Sequence, residues 1–181
     1  REVDDLLIEM SGPEPPNADG SAAPFLELLR EAGIAEQPGI VHYLKLTQPV
    51  RVVDGDATYE AHPAETLELD VSIEFPHPVI GRQRGCYHIT PDAFARELAP
   101  ARTFGFIHEV EALRAKGLIQ GATTQNAVVL GDDGVVDNKL RWPDEFVRHK
   151  ALDCVGDLAL AGARVRARVV ASRPSHRGTV L

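Results

Sequence analysis

Residues 67 to 75 alternate without a break. Leu67, Leu69, Val71, Ile73 and Phe75 fall on one side, and Glu68, Asp70, Ser72 and Glu74 on the other. That is the two-residue period of a half-buried β-strand. Upstream, "PVRVVDGDATYEAHP" reads as two strands joined in a hairpin at Asp54-Gly55-Asp56. Downstream, "GCYHIT" continues the strand pattern, and Thr90-Pro91 opens a helix that Pro100 closes. The period then changes. "IHEVEALRAKG" sets Ile107, Val110 and Leu113 on one helical face and stops at Gly117. "QNAVVLGDDG" predicts a strand and a turn, 144–160 a long helix closed near Gly162, and "RVRARVVAS" a last strand. Arg164, Arg166 and Arg168 share one face of that strand and read as its wet side. Ahead of all this, "LLIEM" predicts a short strand and "GPEPPNADGS" a loop. Ser21 is placed to cap a helix with Pro24 in its first turn and Gly33 as its stop.

Strands in succession, followed by helices and strands mixed, predict an α+β fold. The expected form is a two-layer sandwich, with helices on one face of a mostly antiparallel sheet. "EQPG", at 36–39, reads as a linker where the character changes.

Composition narrows the function. The chain has 181 residues, 44% apolar and 25% charged, enough for an ordinary core. A net charge of −8 with no basic run argues against nucleic acid as the partner. Cys86 and Cys154 are far apart and form no CxxC, which argues against a disulfide scaffold and fits a reducing cytoplasm. No apolar run reaches the length of a membrane span, and no signal peptide opens the chain. The chain begins at Arg1 and ends at "RGTVL", both abrupt, which predicts a fragment cut at both ends.

The long helix carries the most specific chemistry. His149, Asp153 and Asp157 recur every fourth residue and so share a face. An imidazole and a carboxylate at that spacing suit two positions around a zinc ion, with the second carboxylate orienting a histidine. The same stripe also describes a plain solvated face. Lys150 stands beside His149 and is either a surface lysine or a cation for an oxyanion. His176 lies on the loop after the last strand. Thr103 offers a hydroxyl beside Phe104 and Phe106.

Taken in order, "DGSAAPF", "ARTFGF", "DEFVRHKALDCVGDLAL" and the late "SH" resemble the UDP-3-O-acyl-N-acetylglucosamine deacetylases, zinc amidases of lipid A biosynthesis in Gram-negative bacteria. The resemblance covers the chain from Leu6 onward. It implies two similar α+β domains with zinc in the cleft between them. Residues 1–38 would be the tail of the first domain and 39–181 the second. A segment inserted at about 104–136 would build the acyl-chain passage, with Ile107, Val110, Leu118, Ile119 and Val128 as candidate lining.

The resemblance also implies roles. His149 and Asp153 would bind zinc, and Lys150 and Phe104 would contact substrate. Asp157 would pair with the catalytic His176, and Thr103 would assist at the acetamide carbonyl. The third zinc ligand and the general-base glutamate would come from a Glu-His pair upstream of Arg1, so this fragment alone would be inactive. The implied reaction is hydrolysis of the N-acetyl group to acetate and free amine in the cytoplasm. A non-catalytic sugar-nucleotide-binding homologue is the other reading. The chain departs from the family pattern in two places. Gln125 in "GATTQN" replaces an acid, and Pro174-Ser175-His176 stands where Ser-Gly-His is usual.

Overall fold

The computed structural model describes residues 3–12, 15–108 and 123–181. Its strands are β1 (Tyr43–Lys45), β2 (Val50–Asp54), β3 (Ala57–Pro63), β4 (Glu68–Phe75), β5 (Gly81–His88), β6 (Phe104–Phe106), β7 (Val128–Leu130) and β8 (Arg164–Ser172). The helices are α1 (Ala23–Ala32), α2 (Pro91–Ala93) running into a π-helical turn (Phe94–Leu98), α3 (Glu145–Ala159) and α4 (His176–Thr179). The hairpin expected at 54–56 joins β2 to β3, where Asp54 pairs with Ala57 and Gly55 adopts φ 58°. That left-handed angle is what a two-residue hairpin turn demands of glycine.

The fold is α+β, and its main sheet is mixed but mostly antiparallel. The order is β2-β3-β8-β4-β5, with β1 also paired to β8. β8 runs antiparallel to β3 and parallel to both β4 and β1. The strand expected last in the series is therefore central. It reaches that position because α3 carries the chain back over the sheet, and a parallel pair needs such a crossover. α3 lies on β4, β5 and β8, burying Phe146, Val147, Ala151 and Cys154 on Leu69, Val71, Ala167, Val169 and Ala171. A second, two-stranded parallel sheet pairs β6 with β7, Phe104 opposite Val128.

Other expectations are corrected. Leu6–Met10 form no strand; Leu7 and Ile8 are exposed, and no described residue gives them a ladder partner. A strand without a neighbour has nothing to hold it extended. Ser21 is not the cap of α1. Ala22 holds that position, while the Ser21 hydroxyl donates to Asp19 at 2.7 Å and accepts from the Ala23 amide at 3.3 Å. Thr90, by contrast, does cap α2, accepting from the Ala93 amide at 3.1 Å.

The outer side of β4 is not uniformly wet. Asp70 is buried there, gripped by Arg84 through two 2.7 Å bonds, with Arg168 at 3.6 Å. The arginine row is thus engaged as well as solvated: Arg164 reaches Asp4 at 2.7 Å and Arg166 stacks 3.6 Å from the Tyr43 ring centre. The helix expected at 107–117 lies, beyond Ile107 and His108, outside the described residues, as do Val110, Leu113, Leu118 and Ile119.

Candidate active site

α3 divides its faces between core and cleft. Phe146, Ala151 and Cys154 point into the core. His149, Asp153 and Asp157 lie away from it, with side chains only 12%, 17% and 12% exposed. The His149 Nδ1 lies 3.0 Å from the Ala101 carbonyl oxygen. A carbonyl can only accept, so Nδ1 carries the proton and Nε2 keeps its lone pair. That Nε2 stands 3.4 Å from Asp153 Oδ1. Burial lowers the pKa of the ring, outweighing the opposing pull of the Asp153 charge, and so favours neutral imidazole. Lys150 Nζ meets the other oxygen of Asp153 at 2.9 Å.

The loop after β8 brings His176 to the same place. Its Nδ1 lies 3.0 and 3.1 Å from the two oxygens of Asp157, and its Nε2 is 3.9 Å from Asp153 Oδ2. The opposite wall is β6 and its approach. Thr103 hangs between two backbone bonds, its amide donating to the Gly20 carbonyl at 2.7 Å and its carbonyl accepting from Val128 at 2.8 Å. Phe104 stands edge-on to Phe75 at 5.6 Å and to Phe146 at 5.0 Å, and lies 6.3 Å from the His149 ring. The result is a cleft of about 260 Å³, with Phe75 and Thr103 to Phe106 on one side and His149, Lys150, Asp153 and His176 on the other. A wider depression of about 590 Å³ opens on the far face of the sheet, at His62, Glu68 and Arg168. It is open to solvent and gathers none of the candidate residues.

Thr103, Phe104, His149, Lys150, Asp153 and His176 thus all line this cleft, and Asp157 stands directly behind it. Val128 is fully buried in the core, and the exposed Gln125 does not border the cleft. His108 stacks on Phe106 at 5.7 Å.

Several contributors were not foreseen. Phe75, read only as a strand hydrophobe, also borders the cleft. The Ala101 carbonyl has no side-chain signature. Gly20 has one, the "DGS" triplet: its φ is 83°, and a Cβ there would stand 2.2 Å from the Asn126 carbonyl oxygen. Its neighbour Asp19 pairs with Arg141 at 2.7 Å, so this loop braces Thr103 from behind.

The donor set suits zinc in kind. A neutral imidazole with a free Nε2, oriented through Nδ1 by a carbonyl, faces a carboxylate, the nitrogen-and-oxygen chemistry that zinc accepts. It does not suffice in number. Among the described residues no three His, Cys, Asp or Glu side chains stand close enough to hold a metal ion. Cys154 is disfavoured as a thiolate, since burial pushes its thiol up to about 12.

The sequence pattern of one family, described as UDP-3-O-acyl N-acetylglycosamine deacetylase (LpxC), matches residues 1–180. A protein of Syntrophotalea carbinolica is 45% identical over 175 residues, covering 96% of this chain and 57% of its own length. One of Phenylobacterium zucineum is 48% identical over 167 residues, 92% of this chain and 57% of its own. One of Thermosynechococcus vestitus is 45% identical over 174 residues, 96% of this chain and 60% of its own. All three bear the name UDP-3-O-acyl-N-acetylglucosamine deacetylase. The chain therefore spans somewhat under two thirds of the curated relatives it matches.

Proposed function

The chain belongs to the UDP-3-O-acyl N-acetylglycosamine deacetylase family, and from that premise we propose that it forms the larger part of a zinc-dependent amidase. The reaction is removal of the N-acetyl group from a UDP-3-O-acyl-N-acetylglucosamine, giving acetate and the free amine for lipid A synthesis. The observation that carries this reading is the meeting of two pairs in one cleft. His149 and Asp153 are arranged as metal donors, and His176 and Asp157 as a hydrogen-bonded acid and its partner. A solvated helix face would not recruit a loop histidine from beyond β8 or sit nearly buried.

His149 Nε2 and Asp153 are the two zinc ligands from this chain, and a third would come from residues outside it. Zinc, when bound, supplies Lewis-acid polarisation of the acetamide carbonyl. The Thr103 hydroxyl, at the cleft wall, donates to the carbonyl oxygen as negative charge grows there. His176, with Nδ1–H given to Asp157, presents its Nε2 to the substrate; protonated there, it hands a proton to the leaving amine nitrogen. Asp157 fixes the ring's tautomer and balances its charge. Lys150, beside Asp153, places a cation near the substrate's polar groups. Phe104 gives the sugar an apolar wall.

The same reading makes residues 1–38 the end of a first α+β domain and 39–181 the second domain of a duplicated fold. The stretch 104–136 holds the acyl chain, a role supported by the apolar wall of Phe104 and Phe106 and by the partly exposed Ile107. A cytoplasmic setting agrees with two unpaired cysteines and with the absence, among the described residues, of any helix long and apolar enough to cross a membrane.

The test is acetate release from the UDP-linked substrate by the full-length zinc enzyme and by its His149→Ala form. Turnover that collapses in the variant is the expected result. Substrate binding with no acetate release from the unaltered enzyme would leave only a sugar-nucleotide-binding homologue.

A further inference from the structure

We propose that Tyr59 is a positioning residue for His176: its hydroxyl fixes the backbone just before the histidine and so holds the imidazole against Asp157. The proposal rests on the reading of His176 as the proton donor.

The need for such a device follows from exposure. Within this chain the His176 side chain is 69% exposed, so little of this domain packs against the ring. One carboxylate partner limits the ring's rotation but does not fix where its Cα stands. An imidazole that must deliver a proton to one nitrogen needs its backbone held to a fraction of an ångström.

The structure supplies that hold one residue upstream. Tyr59 lies on β3, in the interior at 7% exposure. Its Oη accepts from the Ser175 amide at 2.9 Å and donates to the Ser175 carbonyl at 3.2 Å. The same carbonyl accepts from the Thr179 amide at 3.0 Å and the Thr179 hydroxyl at 2.9 Å. The Ser175 hydroxyl caps α4, accepting from the Gly178 amide at 3.1 Å. Every polar group of Ser175 is thereby engaged, and His176 follows with no intervening residue.

Gly178 belongs to the same device. A Cβ at that position would lie 2.5 Å from Tyr59 Oη and 2.7 Å from its Cε2. α4 can rest on the tyrosine ring only because this residue has no side chain. Ser175 itself has φ −128° and ψ 157°, an extended geometry open to any residue. The sharp change of direction is made earlier, at Arg173, whose φ is 50° and whose amide donates to the Ser72 carbonyl at 2.7 Å. Serine therefore replaces the expected glycine without backbone strain, and its hydroxyl and the tyrosine do the fixing.

The experiment compares Tyr59→Phe, His176→Ala and the double variant in the zinc-loaded full-length deacetylase. Phenylalanine keeps the ring and removes the hydroxyl, and the thermal midpoint checks that the fold survives. We expect Tyr59→Phe to lower kcat about tenfold with KM nearly unchanged. Hydrogen exchange at the Ser175 amide should quicken, and the His176 Nδ1 nitrogen resonance should move. In the His176→Ala background the tyrosine substitution should lower kcat no further. Gly178→Ala, which pushes α4 off the ring, should reproduce the loss. An unchanged Ser175 amide and kcat in Tyr59→Phe would overturn the proposal, as would an equal fall in kcat with and without His176. Full activity in His176→Ala would instead sink the proton-donor reading, and the role drawn from it, by a different substitution.

Discussion

Arg102 and Glu145 form a buried ion pair that ties the approach to β6 to the first turn of α3. The guanidinium Nε lies 2.8 Å from one carboxylate oxygen, and the side chains are 6% and 1% exposed. The pair is fully hydrogen-bonded. Glu145 also accepts from the Arg102 amide at 3.1 Å and the Arg141 amide at 2.6 Å, while Arg102 reaches Asn138 at 2.9 Å and the Lys139 carbonyl at 2.6 Å. Thr103 is the next residue along one element, and His149 stands one turn along the other. The pair thus ties the two walls of the cleft together.

Removing one partner strands the other. Glu145→Ala should destabilise the protein by about 3–5 kcal/mol, measured by denaturant unfolding, because it leaves a buried guanidinium without its counter-ion. Burial alone would raise the Glu145 pKa, but the Arg102 and Arg141 bonds outweigh it and the net shift is down from 4.5. A carboxyl lowered in the folded state adds stability above 4.5, and that stability drains away as pH falls through the folded value. Stability of the unaltered protein should therefore decline as pH drops below about 4.5. Glu145→Gln should start lower and show a flatter acid limb. An acid limb of unchanged slope would show that other carboxylates govern it.

The helix stripe can be read by metal content. In the full-length enzyme, His149→Ala and Asp153→Ala should each lose stoichiometric zinc, while Lys150→Ala should keep it and lose turnover or substrate affinity. Alanine is the best helix former, and a plain surface stripe would shift stability by only about 0.5 kcal/mol in all three. Zinc retained in full by both His149→Ala and Asp153→Ala would remove the metal reading of this face.

His176 and Asp157 should behave as one unit. Each alanine variant should lower kcat by about a hundredfold or more, the usual weight of a general acid, with zinc content intact. The double variant should lose little beyond His176→Ala. Strictly multiplicative losses in steady-state kinetics would mean that the two act separately.

Gly20 should tolerate no side chain. Gly20→Ala forces a left-handed alanine and drives its Cβ to 2.2 Å from the Asn126 oxygen. A loss of about 2 kcal/mol or more is expected from strain and overpacking together. Turnover should fall as well, since the Gly20 carbonyl holds the Thr103 amide. Calorimetry and a deacetylation assay would check both. A variant as stable as its parent would show that the loop moves freely.

What the sequence disclosed depended on range. Alternation at 67–75, the hairpin at Gly55 and the cap at Thr90 are local, and each formed close to its expected place. The stripe of His149, Asp153 and Asp157 was likewise legible, because helical spacing puts it on one face. The centrality of β8 was not, since no local pattern says which neighbours a strand will take. The buried Asp70 broke its alternation for the same reason: its partners Arg84 and Arg168 sit on other strands. The hold on Ser175 was hidden too, because Tyr59 is 116 residues away in sequence. The family pattern suggested roles for His176 and Thr103; how the backbone secures them is written in carbonyls and amides, which carry no letter.

The position of β8 also has a consequence in time. The hairpin β2–β3 and the pair β4–β5 join near neighbours in the chain and can form early, but each leaves an open edge where β8 belongs. Both edges wait for a strand that starts at Arg164, so a growing chain must carry two unsatisfied ladders until that strand is made. Insertion of β8 then closes the sheet and, in the same event, delivers His176 to the cleft. Closure of the sheet and assembly of the cleft are in this sense one step, and a partly folded chain with its sheet still split would have no His176 in place.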